Sequence, residues 1–124
     1  MYFLKINDNT YPAEFTGKMA DKDWDNRETK TIMLQNMTLQ QVEGILYDDV
    51  EWYIYQPLTE TRPFYNDETD ETTFAEVDVS EEYDNSAFSI RGPITLYPDG
   101  RIAVKMGKPT DLEEAYELLY GGIE

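Results

Sequence analysis

The sequence predicts an α+β fold: a largely antiparallel sheet of about six to seven strands with two short helices, at about 38–47 and 111–120. Three observations predict it. Alternating apolar and polar residues recur along the chain in short runs bounded by Asn, Asp, Gly or Pro. The run "ITLYPDGRIAVKM" (residues 94–106) reads as a hairpin closed on Pro98-Asp99-Gly100. There proline presets φ, aspartate bonds the backbone and glycine takes φ > 0. Thr38 with Gln41, and Thr110 with Glu113, form two capping boxes, each opening an apolar run at helical spacing.

The elements follow in order. Tyr2, Leu4 and Ile6 alternate with Phe3 and Lys5 as a strand, and Asn7-Asp8-Asn9 is a turn cluster. Residues 10–15 read as the returning strand, placed towards an edge by Pro12. Residues 16–30 are polar and mixed in charge and read as a loop, with Trp24 anchoring it to the core. Residues 29–35 read as a strand with Ile32 and Leu34 on one face. Leu39, Val42, Ile45 and Leu46 mark the first helix, which Gly44 weakens by about 1 kcal/mol relative to alanine.

In "VEWYIYQ", Val50, Trp52 and Ile54 face the core, opposite Glu51, Tyr53 and Tyr55. Pro57 and Pro63 bracket an acidic loop over 57–72. Residues 73–79 resume strand alternation, with Ala75, Val77 and Val79 opposite Phe74, Glu76 and Asp78, and a turn takes Glu81, Glu82 and Asp84. Residues 86–91 read as a strand pointing Phe88 and Ile90 inward, ended by a break at Gly92-Pro93. The last helix carries Leu112, Ala115, Leu118 and Leu119 as an apolar stripe, with Tyr116 and Tyr120 beside it, and stops at Gly121-Gly122.

At 124 residues the chain is expected to form a single domain, 1–124, with a core large enough to need no staples. The net charge of −16 repels phosphate backbones and anionic lipid, so no direct nucleic-acid binding and no membrane contact are expected. A basic partner or a polyvalent cation is favoured instead. With no cysteine and no histidine, disulfides, thiol and Ser-His chemistry and the usual zinc and haem ligands are all missing. The opening "MYFLKINDN" lacks a basic region followed by an apolar one, so a cytoplasmic protein is expected.

Residues 66–84 hold nine carboxylates and no base. Calcium would want clustered oxygens, but no glycine in this run supplies the central turn of an EF-hand loop. Mimicry of nucleic acid is the second reading. An extended run carries about one charge per 7 Å, against one per about 1.7 Å of duplex axis. Carboxylate pairs suited to glycoside hydrolysis arise by chance among 26 acids, and "MGKPT" fails the phosphate-loop spacing. The expectation is therefore no catalytic residue, no cofactor and no metal ligand. Asp67, Glu68, Asp70, Glu71, Glu76 and Asp78 are read as acidic surface, and Tyr53, Tyr55, Tyr65 and Tyr97 as a candidate protein interface.

"DWDNRETK" (23–30), "YDDVEW" (47–52), "YDNSAFSIRGPIT" (83–95) and "DGRIAVKMGKPTDLEEA" (99–115) together resemble small uncharacterised proteins encoded in prophage structural-gene regions of Firmicutes. The resemblance covers about half the chain and leaves the acidic stretch 66–82 unmatched. It implies a setting without an activity: a non-enzymatic protein of the bacterial cytoplasm, or one incorporated into a virion, that binds another protein in tail or virion assembly. The partner is then a phage structural protein, a basic host protein or a second copy in a homo-oligomer. The alternatives are an acidic inhibitor that mimics nucleic acid to block a host enzyme, and a weak divalent-cation-binding module.

The charge alone generates one prediction. A chain with 26 acids and 10 bases repels itself when compact, so screening should stabilise it. The melting temperature should rise between low salt and about 0.3 M sodium chloride. A fall over that range would contradict the reading.

Overall fold

The structure, a computed structural model, describes residues 1–120, with the side chains of residues 117, 118 and 120 outside the description. The helix stop at Gly121-Gly122, and the side chains of Leu118 and Tyr120, therefore lie outside the described residues. The elements are β1 (Phe3–Ile6), β2 (Asn9–Asp21), β3 (Arg27–Leu34), α1 (Leu39–Ile45), β4 (Tyr53–Gln56), β5 (Thr59–Asn66), β6 (Glu71–Asp78), β7 (Glu81–Asp84), β8 (Ile90–Leu96), β9 (Ile102–Gly107) and α2 (Asp111–Tyr120). Seven strands form one antiparallel sheet in the order β7-β4-β1-β2-β3-β9-β8, and β5 and β6 form a separate two-stranded sheet. The architecture is thus mostly β, with the two helices a small share. No helix among the described residues is long and apolar enough to cross a membrane.

Strand β2 joins the two halves of the large sheet. Its first residues pair with β1 as far as Pro12, and from Ala13 onward it pairs with β3. Asn7 and Asp8, both at positive φ, make the two-residue turn that aligns β1 with β2. The edge position expected from Pro12 is corrected here, because β2 lies inside the sheet. The N–H of Ala13 turns towards β1 and donates to the Tyr2 carbonyl at 3.2 Å. Backbone directions alternate, so the N–H that Pro12 lacks would fall on the other side, just beyond the last pair with β3.

The core gathers Leu4 and Ile6 from β1, Ile32 and Leu34 from β3, Ile102, Val104 and Met106 from β9, Val42 from α1 and Leu46 from its C-cap. Val50, Trp52 and Phe88 complete it from the connections. Trp52 is fully buried. Its indole stacks on Phe15 of β2 at 6.4 Å between centroids and meets Phe88 at 6.2 Å. Its ring N–H donates to the Phe88 carbonyl at 3.1 Å, and its backbone bonds Ser86 and Asn85. Those bonds explain a second correction. Residues 86–89 are a bonded connection rather than a strand, and the strand runs from Ile90 straight through Gly92-Pro93. Instead of a break, that dipeptide makes a bulge on the outer strand, where proline's missing N–H disturbs no second ladder.

Residues 16–30 are mostly strand rather than loop, and only the link between β2 and β3 turns. All of residues 16–20 are exposed on both faces of this part of β2, so no buried face marks an alternation in the sequence. The link is fastened on the sheet face opposite Ile32 and Leu34. Buried Asp21 accepts from Thr29 Oγ1 at 3.2 Å and from the Asp23 N–H at 3.1 Å, and it pairs with Lys105 Nζ at 2.7 Å. The Lys105 bond, supported by the others, holds its carboxyl below the usual aspartate range.

Trp24 anchors the link, as read from the sequence. Its ring lies so close to the backbone of Gly92 and Gly107 that a Cβ at either would come within 2.6–2.8 Å of it. The Arg27 guanidinium stacks on the same ring at 4.5 Å, donates to the Lys108 carbonyl at 3.1 Å and pairs with Glu113 at 2.9 Å. Glu113 also completes the capping box with Thr110, so the first turn of α2 is tied to the sheet.

Two predictions follow from this face. Gly92→Ala should destabilise by about 1–3 kcal/mol through overpacking, and the cost should shrink in a Trp24→Ala background. Chemical denaturation of the two pairs measures it, and an equal cost in both backgrounds would exclude Trp24 as the cause. The second concerns pH. A carboxyl whose folded pKa is depressed stabilises fully above its unfolded value, about 3.9 for aspartate, and loses that contribution as pH falls through the folded value. Asp21→Asn should therefore melt below the parent at pH 6, with a gap that narrows in acid. A constant gap down to pH values near 2.5 would count against the assignment.

Candidate protein interface

Strands β5 and β6 form an arm. Eight antiparallel pairs, from Thr59↔Asp78 to Asn66↔Glu71, make a ladder roughly 25 Å long. Every residue of the two strands is exposed except Val77, which is half-buried. The base of the arm is bound by the Val79 N–H donating to the Leu58 carbonyl at 2.9 Å and the Leu58 N–H donating to Ser80 Oγ at 3.0 Å. The four-residue tip, 67–70, is shaped locally. Asn66 Oδ1 accepts from the Glu68 N–H at 2.9 Å, Asp70 sits at φ 52°, and the Tyr65 hydroxyl donates to Asp70. That bond to a carboxylate raises the Tyr65 pKa.

The acidic loop expected over 57–72 is therefore corrected to the outgoing strand of this arm and its turn. Pro63 does not prevent it, because β5 has a partner on one side only. The strand alternation read at 73–79 is real, but Ala75 turns to solvent like its neighbours and no core lies beneath it.

The register sorts the side chains. One face carries Pro63 opposite Phe74, with Tyr65 beside them and Glu76 and Asp78 nearer the base. The other carries Phe64, Ala75 and Val77, with Glu60, Arg62 and Glu71 around them. Phe64, Tyr65 and Phe74 are 49%, 60% and 70% exposed, so both faces present aromatic surface to water. The acids are likewise divided. Asp67, Glu68 and Asp70 lie at the tip, Glu76 and Asp78 on one face, and Glu71 on the other. Seven carboxylates stand against the one guanidinium of Arg62, itself paired with Glu60 at 2.9 Å. Among the described residues, no group of three or more acids is placed to hold a metal ion.

The four tyrosines do not gather into one surface. Tyr53 and Tyr55 are half-buried on β4, on the face shared with Lys5, Glu82 and Asp84. Lys5 pairs with Glu82 at 2.7 Å and stands 5.5 Å from the Tyr55 ring centre, so this face is already occupied by its own polar contacts. Glu82 and Asp84 belong to strand β7, not to the turn read from the sequence. Tyr97 flanks the β8–β9 turn beneath the Arg101 guanidinium, at 5.2 Å. Tyr65 alone stands on the arm.

Phe64 and Phe74 are the arm residues that sequence reasoning passed over. The outward side of Phe74 was legible from its alternation with Glu76 and Asp78, but not the loss of any core beneath the opposite side. A second apolar surface lies on α2, where Leu112 and Leu119 of the stripe and Tyr116 beside it are exposed. Compared with family models, curated proteins and solved structures, the chain matches none of them.

Proposed function

We propose that this is a non-enzymatic protein-binding module that presents the β5–β6 arm to a basic partner protein, in phage tail or virion assembly. The setting rests on the resemblance in the sequence, and the mode of binding rests on the arm. An isolated two-stranded hairpin is marginal in water and gains stability when a face is covered. This one exposes Phe64 on one face and Tyr65 and Phe74 on the other, and none of the three belongs to the core cluster. Exposed aromatic surface rimmed by polar groups is the usual mark of a contact site. The arm carries six of the sixteen net negative charges, so a complementary partner is basic at its rim.

The same geometry supports protein binding over imitation of nucleic acid. A mimic needs its charges aligned along one surface. Here they are shared between a tip and two opposite faces, with aromatic rings between them.

The test is a double substitution, Phe64→Ser with Phe74→Ser, in the full chain. Both sites are solvent-facing, so the melting curve should stay within about 0.5 kcal/mol of the parent. Affinity capture from cells carrying the phage, with partners identified by mass spectrometry, should recover one basic protein with the parent and lose it with the variant. Its binding should weaken as salt rises. Equal recovery by both would remove the arm from the interface.

A further inference from the structure

We propose that the cleft along α1 is a second binding site, independent of the arm, and that it takes an uncharged saccharide unit. The cleft has a volume of about 480 Å³, within the range of small-molecule sites. Gln40 and Gly44 stand one turn apart on α1, Met37 lies just before its cap, and Tyr11 and Asn36 complete the lining with Gln41 and Ile45. None of its lining residues is ionised, although 36 of the 124 residues of this chain carry charge. Four other surface clefts each include at least one charged side chain.

Its chemistry narrows the occupant. There is no cation to hold a carboxylate or phosphate and no carboxylate to hold an amine. The polar lining is amide: Asn36 and Gln40 make no side-chain hydrogen bond among the described residues. Gln41 uses only its oxygen, accepting from the Thr38 N–H at 2.9 Å, which leaves its NH₂ free to donate. Amides offer donors and acceptors side by side, which suits hydroxyl groups that also do both. Met37, Ile45 and the Tyr11 ring supply apolar surface for the C–H faces of a sugar ring.

Gly44 gives the second observation. It is not at positive φ, and a Cβ there would meet nothing within 4 Å. Neither backbone conformation nor internal packing calls for glycine, and glycine weakens the helix. What the missing side chain leaves is bare helix backbone on the wall of the cleft, open to close approach by a ligand.

The experiment titrates the full chain with cellobiose, diacetylchitobiose, the anionic sugar sialyllactose and a capped dialanine, followed by amide NMR. Cellobiose or diacetylchitobiose should shift the Gly44 backbone amide and the Asn36 and Gln40 side-chain amides, with Kd of about 1–10 mM. Sialyllactose should bind more weakly than either. Gly44→Ala should raise the melting temperature and yet weaken binding by about tenfold or more, opposite signs that loss of folding cannot produce. Gln40→Ala should weaken binding with the melting temperature unchanged. Shifts from capped dialanine alone would reassign the cleft to peptide. No shift with either neutral sugar, or full affinity in Gly44→Ala, would overturn the proposal.

Discussion

The fold depends on one buried indole. The two halves of the sheet curve around a single core, and their only shared strand is β2. Trp52 makes the second connection. It reaches Phe15 on β2 from the start of β4 and, through its ring N–H and backbone, fixes residues 85–88 as they cross back towards β8. A buried tryptophan must satisfy its N–H, and the Phe88 carbonyl does so where the chain would otherwise leave an acceptor bare. Packing and hydrogen bonding therefore select the same arrangement, and helix α1 covers it with Val42 and Leu46.

Charge is the second constraint, and it explains where the bases go. Among the described residues, Lys5, Arg27, Arg62, Arg101, Lys105 and Lys108 each hold a carboxylate. Arg27 and Lys105 do so at structural joints: one ties α2 to the sheet, the other locks the buried Asp21. Lys30, facing the core, instead donates to Asn85 and stands 5.0 Å from the Phe88 ring centre. Its burial lowers its pKa. The acids left over coat the surface. They also guard one edge of the sheet, since β7 is short and carries Glu81, Glu82 and Asp84, while the Gly92-Pro93 bulge interrupts the other.

Much of this was legible in the sequence because it is local. The Pro98-Asp99-Gly100 hairpin and both capping boxes lie where residue chemistry places them, with Gly100 at φ 91°. The inward sides of β1, β3 and β9 follow from simple alternation. Several misreadings share a cause: Pro12 reads as the mark of an edge, Pro63 of a loop and Pro93 of a break, and the charge of residues 16–30 as the mark of a loop. Pro12, Pro63 and Pro93 all sit in strands, each where one side of the backbone lacks a partner, and that depends on neighbours distant in sequence. The arm was misread because both its faces are wet, so no buried face imposes an alternation. The α2 helix lies where its spacing places it, but spacing marks an apolar face without saying what lies against it.

The body has a packed core and the arm has none, and the difference bears on the partner. In the body, Trp52 and Phe88 are buried in a core that most of the acids face away from. On the arm, rings and acids share the same exposed faces, so nothing within the chain settles which of them a contact will cover. On the proposed reading, a second copy would fit poorly. Its body carries the remaining ten net negative charges and would meet an arm of the same sign. On the proposed reading, a basic partner would resolve the mixture, its rim meeting Glu60, Glu71, Glu76 and Asp78 while its apolar centre receives Phe64 on one side or Phe74 on the other. Covering either face would also give β5 and β6 the packing that a two-stranded sheet lacks alone.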